Sequence, residues 1–274
     1  MAELSICYPG PFFAGAVAPD VDKLLGTHRS STHWWQPGSD LSGAVRLVHA
    51  KPRLAHVTPG SSSQAFVAGY LCHLVTDEQW TLRIYRRHFG RLTPFAGSRD
   101  GADHQLALQS ALDTELVTQA KVGPAITKLS AHRVGDFERD AAPVLGGDAW
   151  ALRPFVTSVM RRASEPDPAL RLKLMAEARV SELTRTNSER KSDPMIMTRT
   201  TDNPELLHAF IARLPSLVSA AFSLISMQEI DDFRASAIRA SAKLIGEFVG
   251  GEPLTSPEGT SAAGYFGSPA RTDL

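Results

Sequence analysis

The stretch TPGSSSQAFVAGYLCHLVTDEQWTLRIYRRHFG, residues 58–90, constrains the fold more than any other part of the chain. It opens on a Pro59-Gly60 turn, has Ser61 and Gln64 at capping-box spacing, and stays rich in apolar residues until Gly90, which predicts a helix over about residues 62–87. Phe66, Tyr70, His73, Asp77, Trp80 and Ile84 fall on one stripe of that helix, while Val67, Leu71, Leu74 and Val75 fall on the other side. With apolar residues on both sides, at least the first half of the helix is expected to be buried all round. An ionised Asp77 there costs several kcal/mol unless something compensates it.

Two kinds of compensation fit. His73 and Asp77 stand one turn apart and can pair with each other as a satisfied core couple. The same spacing also offers two ligands to a divalent ion from one rigid face. A metal needs more donors, and GAVAPDVDKLLGTHRSSTHWW, residues 15–35, offers them. Asp20 follows the helix-breaking Pro19, and His33 precedes Trp34 and Trp35. Asp20, His33, His73 and Asp77 would make a two-histidine, two-carboxylate set, which suits zinc and also admits iron or manganese.

The remaining chain reads as mostly helical. DHQLALQSALDTELVTQAKVG opens on Asp103 and closes on Gly123. AWALRPFVTSVMRRASE and DPALRLKLMAEARVSELTR continue the pattern, the latter with Asp167 before a Pro168 at the first helical position. Residues 184–203 form a polar, Pro-interrupted connection, either a plain linker or a gate. Asn203-Pro204-Glu205 restarts a helix, and residues 215–251 read as one long helix ending at Gly250-Gly251. A short strand is conceivable only in GAVRLVHA, residues 43–50. The expected class is all-α, with a metal-binding helical core over 1–147, a C-terminal helical part over 148–251 that packs on it to give one compact domain, and a flexible tail over 252–274.

Charge and cysteine usage narrow the function. Lys plus Arg and Asp plus Glu are balanced at 29 each without like-charge blocks, which argues against a nucleic-acid partner and favours a small-molecule substrate. Cys7 and Cys72 are too few for a disulfide framework. The first twenty residues lack a basic n-region and are broken by Pro9 and Pro11, and no apolar run is long enough for an integral membrane segment. A cytoplasmic protein is expected. No Gly-x-Ser-x-Gly elbow, phosphate-cradling Gly-Lys-Ser/Thr loop or Cys-x-x-Cys pair is present.

The order Gly-Ala-x-Ala-Pro-Asp at 15–20, then His33 with two aromatics, then Gly-Tyr-Leu-x-His-Leu-x-x-Asp at 69–77 resembles the zinc-dependent phospholipase C family over about the first third of the chain. The resemblance implies an all-helical bundle of that type, with Asp20, His33, His73 and Asp77 forming one zinc site. It further implies that Asp20 assists the attacking water as general base. That family uses an N-terminal tryptophan and nearby histidine for another zinc, whereas this chain has no histidine before His28. Arg83 and Leu108 stand where further family ligands would be expected, after Asp77 and His104 respectively. A single metal site is therefore expected.

The resulting expectation is a metal-dependent hydrolase, phospholipase C-like, acting on a phosphoester or related small molecule through a metal-activated water. Its rivals are a single-metal enzyme recruited for a non-hydrolytic reaction on a small metabolite, and a non-catalytic helical binding protein with a structural metal. His28, Trp34, His88 and His104 are candidates for substrate contact or for support of the ligands, each with a plainer reading as a surface, core or capping residue. Arg83, Arg86 and Arg87 are phosphate candidates whose plainer reading is a solvated helix end. The C-terminal helices are a candidate homodimer interface.

Overall fold

A computed structural model of the chain describes residues 2–25, 27, 29–34, 42–90, 93, 95, 99–118, 135–177 and 204–256. Among these residues the chain is mostly helical and contains no strand. In chain order the helices are α1 (Ala2–Cys7), α2 (Pro9–Val17), α3 (Gly43–Ala50), α4 (Ser62–Trp80), α5 (Arg99–Thr118), α6 (Gly135–Leu145), α7 (Leu152–Ala163), α8 (168–177), α9 (Pro204–Leu224) and α10 (Met227–Gly250). Single turns at Ala18–Val21, Asp22–Leu25 and Ser30–His33 join α2 to the segment before α3.

The start of α4 follows from local chemistry. Ser61 Oγ accepts the Gln64 amide at 3.2 Å, while the Gln64 side chain accepts from the Gly60 amide at 2.8 Å instead of closing the box on Ser61. After Trp80 the helix widens into a π-turn over Thr81–Tyr85 and continues through Arg86–His88, so the predicted helix is continuous to its expected end. The Asp167-Pro168 start is also realised, with Asp167 Oδ1 accepting from Ala169 at 2.9 Å.

Several expectations change. GAVRLVHA is helix α3, not a strand, because Ser42 Oγ caps it by accepting from Val45 and Ala44, Val45 and Leu47 bury its inner face. The α5 helix begins at Arg99, so Asp103 lies inside it, buried, 3.4 Å from Arg213, and is not its cap. The expected single helix over 215–251 is instead split at Ile225-Ser226. Ser226 and Glu229 form a complete capping box that starts α10, and α9 and α10 meet at an 81° bend. Pro215 is carried inside α9, where a break was expected. Helix α6, which includes Pro143, has no counterpart among the sequence-based expectations.

Helix α2 lies along α4, and α10 covers another side of α4. The α2–α4 approach depends on two glycines. A Cβ at Gly69 would lie 1.9 Å from the Phe12 carbonyl oxygen, and one at Gly15 would lie 2.0 Å from that of Phe66. Only residues without a side chain allow the two backbones this close. The main apolar cluster contains Ala14, Val45, Phe66, Tyr70 and Leu74 together with Leu152, Val156, Leu244 and Phe248, so it spans both sides of residue 147. The beginning of the tail is docked: Thr255 donates to Glu247 through its amide at 2.9 Å and its hydroxyl at 2.7 Å, and Ser256 Oγ accepts from the Ser42 amide. The 184–203 connection and residues 257–274 lie outside the described residues. No single helix among the described residues is long and apolar enough to cross a membrane; the α9–α10 pair reaches that length and composition only when taken together across its bend.

Candidate metal centre

His73 sits in the middle of α4 with its Nδ1 2.8 Å from the carbonyl oxygen of Ala16, near the end of α2. A carbonyl only accepts, so His73 Nδ1 carries a proton and donates it there. The chain beyond Ala16 tightens into the Ala18–Val21 turn, with Pro19 at its start, and presents Asp20. His33 ends the Ser30–His33 turn. Tyr70, also on α4, donates its hydroxyl to the Thr32 carbonyl at 2.5 Å and pins that turn down. Trp34 then takes a left-handed conformation at φ 55°, which ends the turn immediately after His33.

These elements bring three of the four expected residues, Asp20, His33 and His73, into one group, with Asp77 beside the two histidines but outside that group. His73 Nε2 lies 3.3 Å from His33 Nε2. His33 Nε2 lies 3.6 Å from Asp20 Oδ1 and 3.5 Å from Asp77 Oδ2, and His73 Nε2 lies 3.8 Å from Asp77 Oδ2. One donor atom each from Asp20, His33 and His73 falls within 4.8 Å of the other two. A metal ion with bonds of about 2.0–2.1 Å holds its ligand atoms about 3.3 Å apart in a tetrahedral shell, and the Nε2 atoms of His33 and His73 stand at that separation, with the carboxylates somewhat farther out. Two imidazole nitrogens and a carboxylate so placed could hold a divalent metal ion.

The hydrogen bonds around the histidines support the same arrangement. His33 Nδ1 lies 3.0 Å from Thr32 Oγ1, a hydroxyl that can donate or accept. Both Nδ1 atoms are thus engaged and both Nε2 atoms converge, an arrangement in which the outer partners orient the two rings. Burial pushes the His33 imidazole down to about 4, against the opposing hydrogen bond to Asp20, so the ring is neutral at pH 7 as a ligand must be.

The depth ordering is also informative. The side chains of His33 and His73 are 4% and 14% accessible, whereas Asp20 and Asp77 are 26% and 39% accessible. The α4 face carrying Asp77 therefore emerges at a rim, contrary to the expectation of burial all round. The expected His73–Asp77 couple is also not a hydrogen-bonded pair, since 3.8 Å is too long. Arg29 takes that role. Its guanidinium donates to Asp77 Oδ2 and lies 3.6 Å from Asp20 Oδ1. Burial pushes the Asp77 carboxyl up, but Arg29, followed by His73 and His33, outweighs it and holds the group below the usual carboxylate value.

Arg29 was not among the sequence candidates. The available signal was a lone cation in HRSSTH, between two histidines and a few residues after two aspartates. Glu78 was missed as well. Its Oε1 accepts from the Gly43 amide at 2.6 Å, and a Cβ at Gly43 would sit 2.4 Å from the His33 carbonyl oxygen, so Glu78 draws α3 against the back of His33. Burial pushes the Glu78 carboxyl up to about 8, opposed by the Gly43 hydrogen bond.

The other candidates have partners elsewhere. His88 contacts Glu229 of α10 at 3.1 Å, and His104 packs on Phe95 with ring centroids 5.2 Å apart. Trp34 packs against the main core with Lys51 5.7 Å from its ring centroid, and Trp80 meets Phe233 edge-on in a second cluster. Arg83 donates to Gln79 at 3.0 Å. His28 and Trp35 lie outside the described residues. Comparison of the chain with protein-family models, curated proteins and solved structures finds no match.

Proposed function

We propose that the chain is a single-metal hydrolase of phosphoesters or related small molecules, with Asp20, His33, His73 and Asp77 as ligands and zinc as the metal. The observation that carries this reading is the convergence of two imidazole Nε2 atoms and two carboxylates at 3.3–3.8 Å while both Nδ1 atoms are held from behind. When bound, the ion supplies Lewis acidity, acidifying water and offsetting negative charge on a phosphoryl oxygen. His33 and His73 form the buried floor and fix direction. Asp20, partly accessible at the rim, takes the proton of the attacking water as general base. Its Oδ1, 3.6 Å from both His33 Nε2 and the Arg29 guanidinium, is held on the side of the site that a substrate enters.

The phosphoester assignment draws support from the resemblance of residues 15–20, 33–35 and 69–77 to the zinc-dependent phospholipase C family, together with a rim open to solvent. Cys7 and Cys72 are both unpaired thiols, which fits the proposed cytoplasmic location. The test is hydrolysis of phosphate mono- and diesters by the zinc-loaded protein beside Asp20→Asn. Turnover that falls at least a hundred-fold in the variant, with zinc retained, supports the reading. Zinc-loaded protein that hydrolyses no ester would favour a non-hydrolytic enzyme or a structural metal.

A further inference from the structure

We propose that Arg29 is the anion-binding residue of this site, the group that takes a phosphoryl oxygen of the substrate beside the metal. The proposal rests on the metal reading above and adds the substrate's charge and its anchor. Arg29 is the one described cation in contact with both carboxylates of the cluster, donating to Asp77 Oδ2 and lying 3.6 Å from Asp20 Oδ1. Its side chain is 45% accessible, while the two histidines below it are buried. The side chain is therefore partly open to solvent beside the site.

The chemistry of Arg29 points to the ligand. A divalent cation bound by Asp20 and Asp77 offsets their negative charge at a solvent-open rim, and a guanidinium released beside it is complementary to an anion. The cation and Arg29 also compete for the same oxygens. Once Asp20 and Asp77 turn to the ion, the planar fork of the guanidinium is released from them and is matched in shape to two oxygens of a tetrahedral oxyanion. A guanidinium carries five N–H donors, so contact with two carboxylates does not exhaust it. Metal and anion should consequently bind with positive cooperativity, since the first frees the group that holds the second.

The competition makes opposite predictions for the two ligands of one variant. Zinc is titrated first, calorimetrically and without phosphate, into wild type, Arg29→Gln and Arg29→Lys. Inorganic phosphate is then titrated into each zinc-loaded protein, with glycerol phosphate and phosphatidylcholine vesicles as further probes. Arg29→Gln should bind zinc as tightly as wild type or more tightly, yet bind phosphate about ten-fold or more weakly, with Arg29→Lys in between. The soluble ester or the vesicles, whichever shows the same loss in Arg29→Gln, assigns the anion to a free ester or to a lipid headgroup. Phosphate affinity that changes less than two-fold overturns the proposal while leaving the metal reading intact. Loss of zinc binding in Arg29→Gln also overturns it, because Arg29 then only builds the site. Wild type that binds no zinc defeats the metal reading and the proposal together.

Discussion

His73 Nδ1 donates to the Ala16 carbonyl at 2.8 Å, and this one bond couples the packing of two helices to the direction of a ligand. It forms only because Gly15 and Gly69 let α2 and α4 touch through their backbones. Gly69→Ala places a methyl 1.9 Å from the Phe12 carbonyl oxygen and must push the helices apart. The expected cost is about 2–3 kcal/mol by urea unfolding, with zinc affinity falling in the same protein. Gly246→Ala, in α10 with nothing within 4 Å of the new methyl, is the control and should be neutral or slightly stabilising.

Thr32 acts on His33 from behind as Ala16 acts on His73. Thr32→Val keeps the shape and removes the hydroxyl 3.0 Å from His33 Nδ1. Zinc affinity should fall about 10- to 100-fold, measured by competition with a chromophoric chelator, while the melting temperature changes little. An unchanged affinity would show that the Thr32 contact does not orient the ring.

Glu78 gives the metal-free protein a distinctive pH dependence. Its carboxyl is raised by burial from an ordinary 4.5 to about 8, so the folded state binds a proton that the unfolded state releases between those values. Stability must therefore fall as pH rises through that window. His33 works in the opposite sense between about 4 and 6.5, where the unfolded chain binds the proton and stability rises with pH. The two slopes oppose each other below 6.5, which leaves a net decline from about 6.5 to 8 for wild type. Glu78→Gln should abolish that decline and expose the loss toward acid due to His33, read as midpoints of urea unfolding in the presence of a chelator. A decline above pH 6.5 that persists in Glu78→Gln would place its origin in another group.

The break between α9 and α10 rests on Ser226, whose hydroxyl accepts from the Glu229 amide at 3.2 Å while the Glu229 side chain returns to the Ser226 amide at 3.0 Å. Ser226→Ala should cost about 1 kcal/mol in thermal or urea unfolding. No loss would mean that the 81° turn is set by packing of Ile225 and Ile230 alone.

Two helix starts were legible because their signal is local: Ser61 and Asp167-Pro168 each act within one turn of chain, whereas Asp103, read as a cap by the same logic, lies inside its helix. The box at Ser226 carried the same kind of signal but lies inside a run of apolar periodicity, which hid the change of direction. The Asp20, His33 and His73 group was legible because a histidine inside an apolar helix demands a partner, while Asp77, the other half of that cue, lies at a rim. The compensation of the α4 carboxylates was not legible, since Arg29 reaches Asp77 across 48 residues and Glu78 reaches Gly43 across 35. The roles of Gly15 and Gly69 were hidden for the same reason, because a close backbone approach leaves no mark in the sequence beyond the glycine itself.

Metal content tests the centre most directly. Protein purified without a histidine tag or added metal is analysed for zinc, iron and manganese beside His33→Ala, Asp77→Ala and His88→Ala, with circular dichroism confirming that each is folded. About one metal ion per chain in wild type and in His88→Ala, lost from His33→Ala and Asp77→Ala, is the expected result. No metal in the wild type even after reconstitution, or metal retained by both site variants, would contradict the proposed centre and leave Asp20, Arg29 and Asp77 as an ion-pair network over two buried histidines.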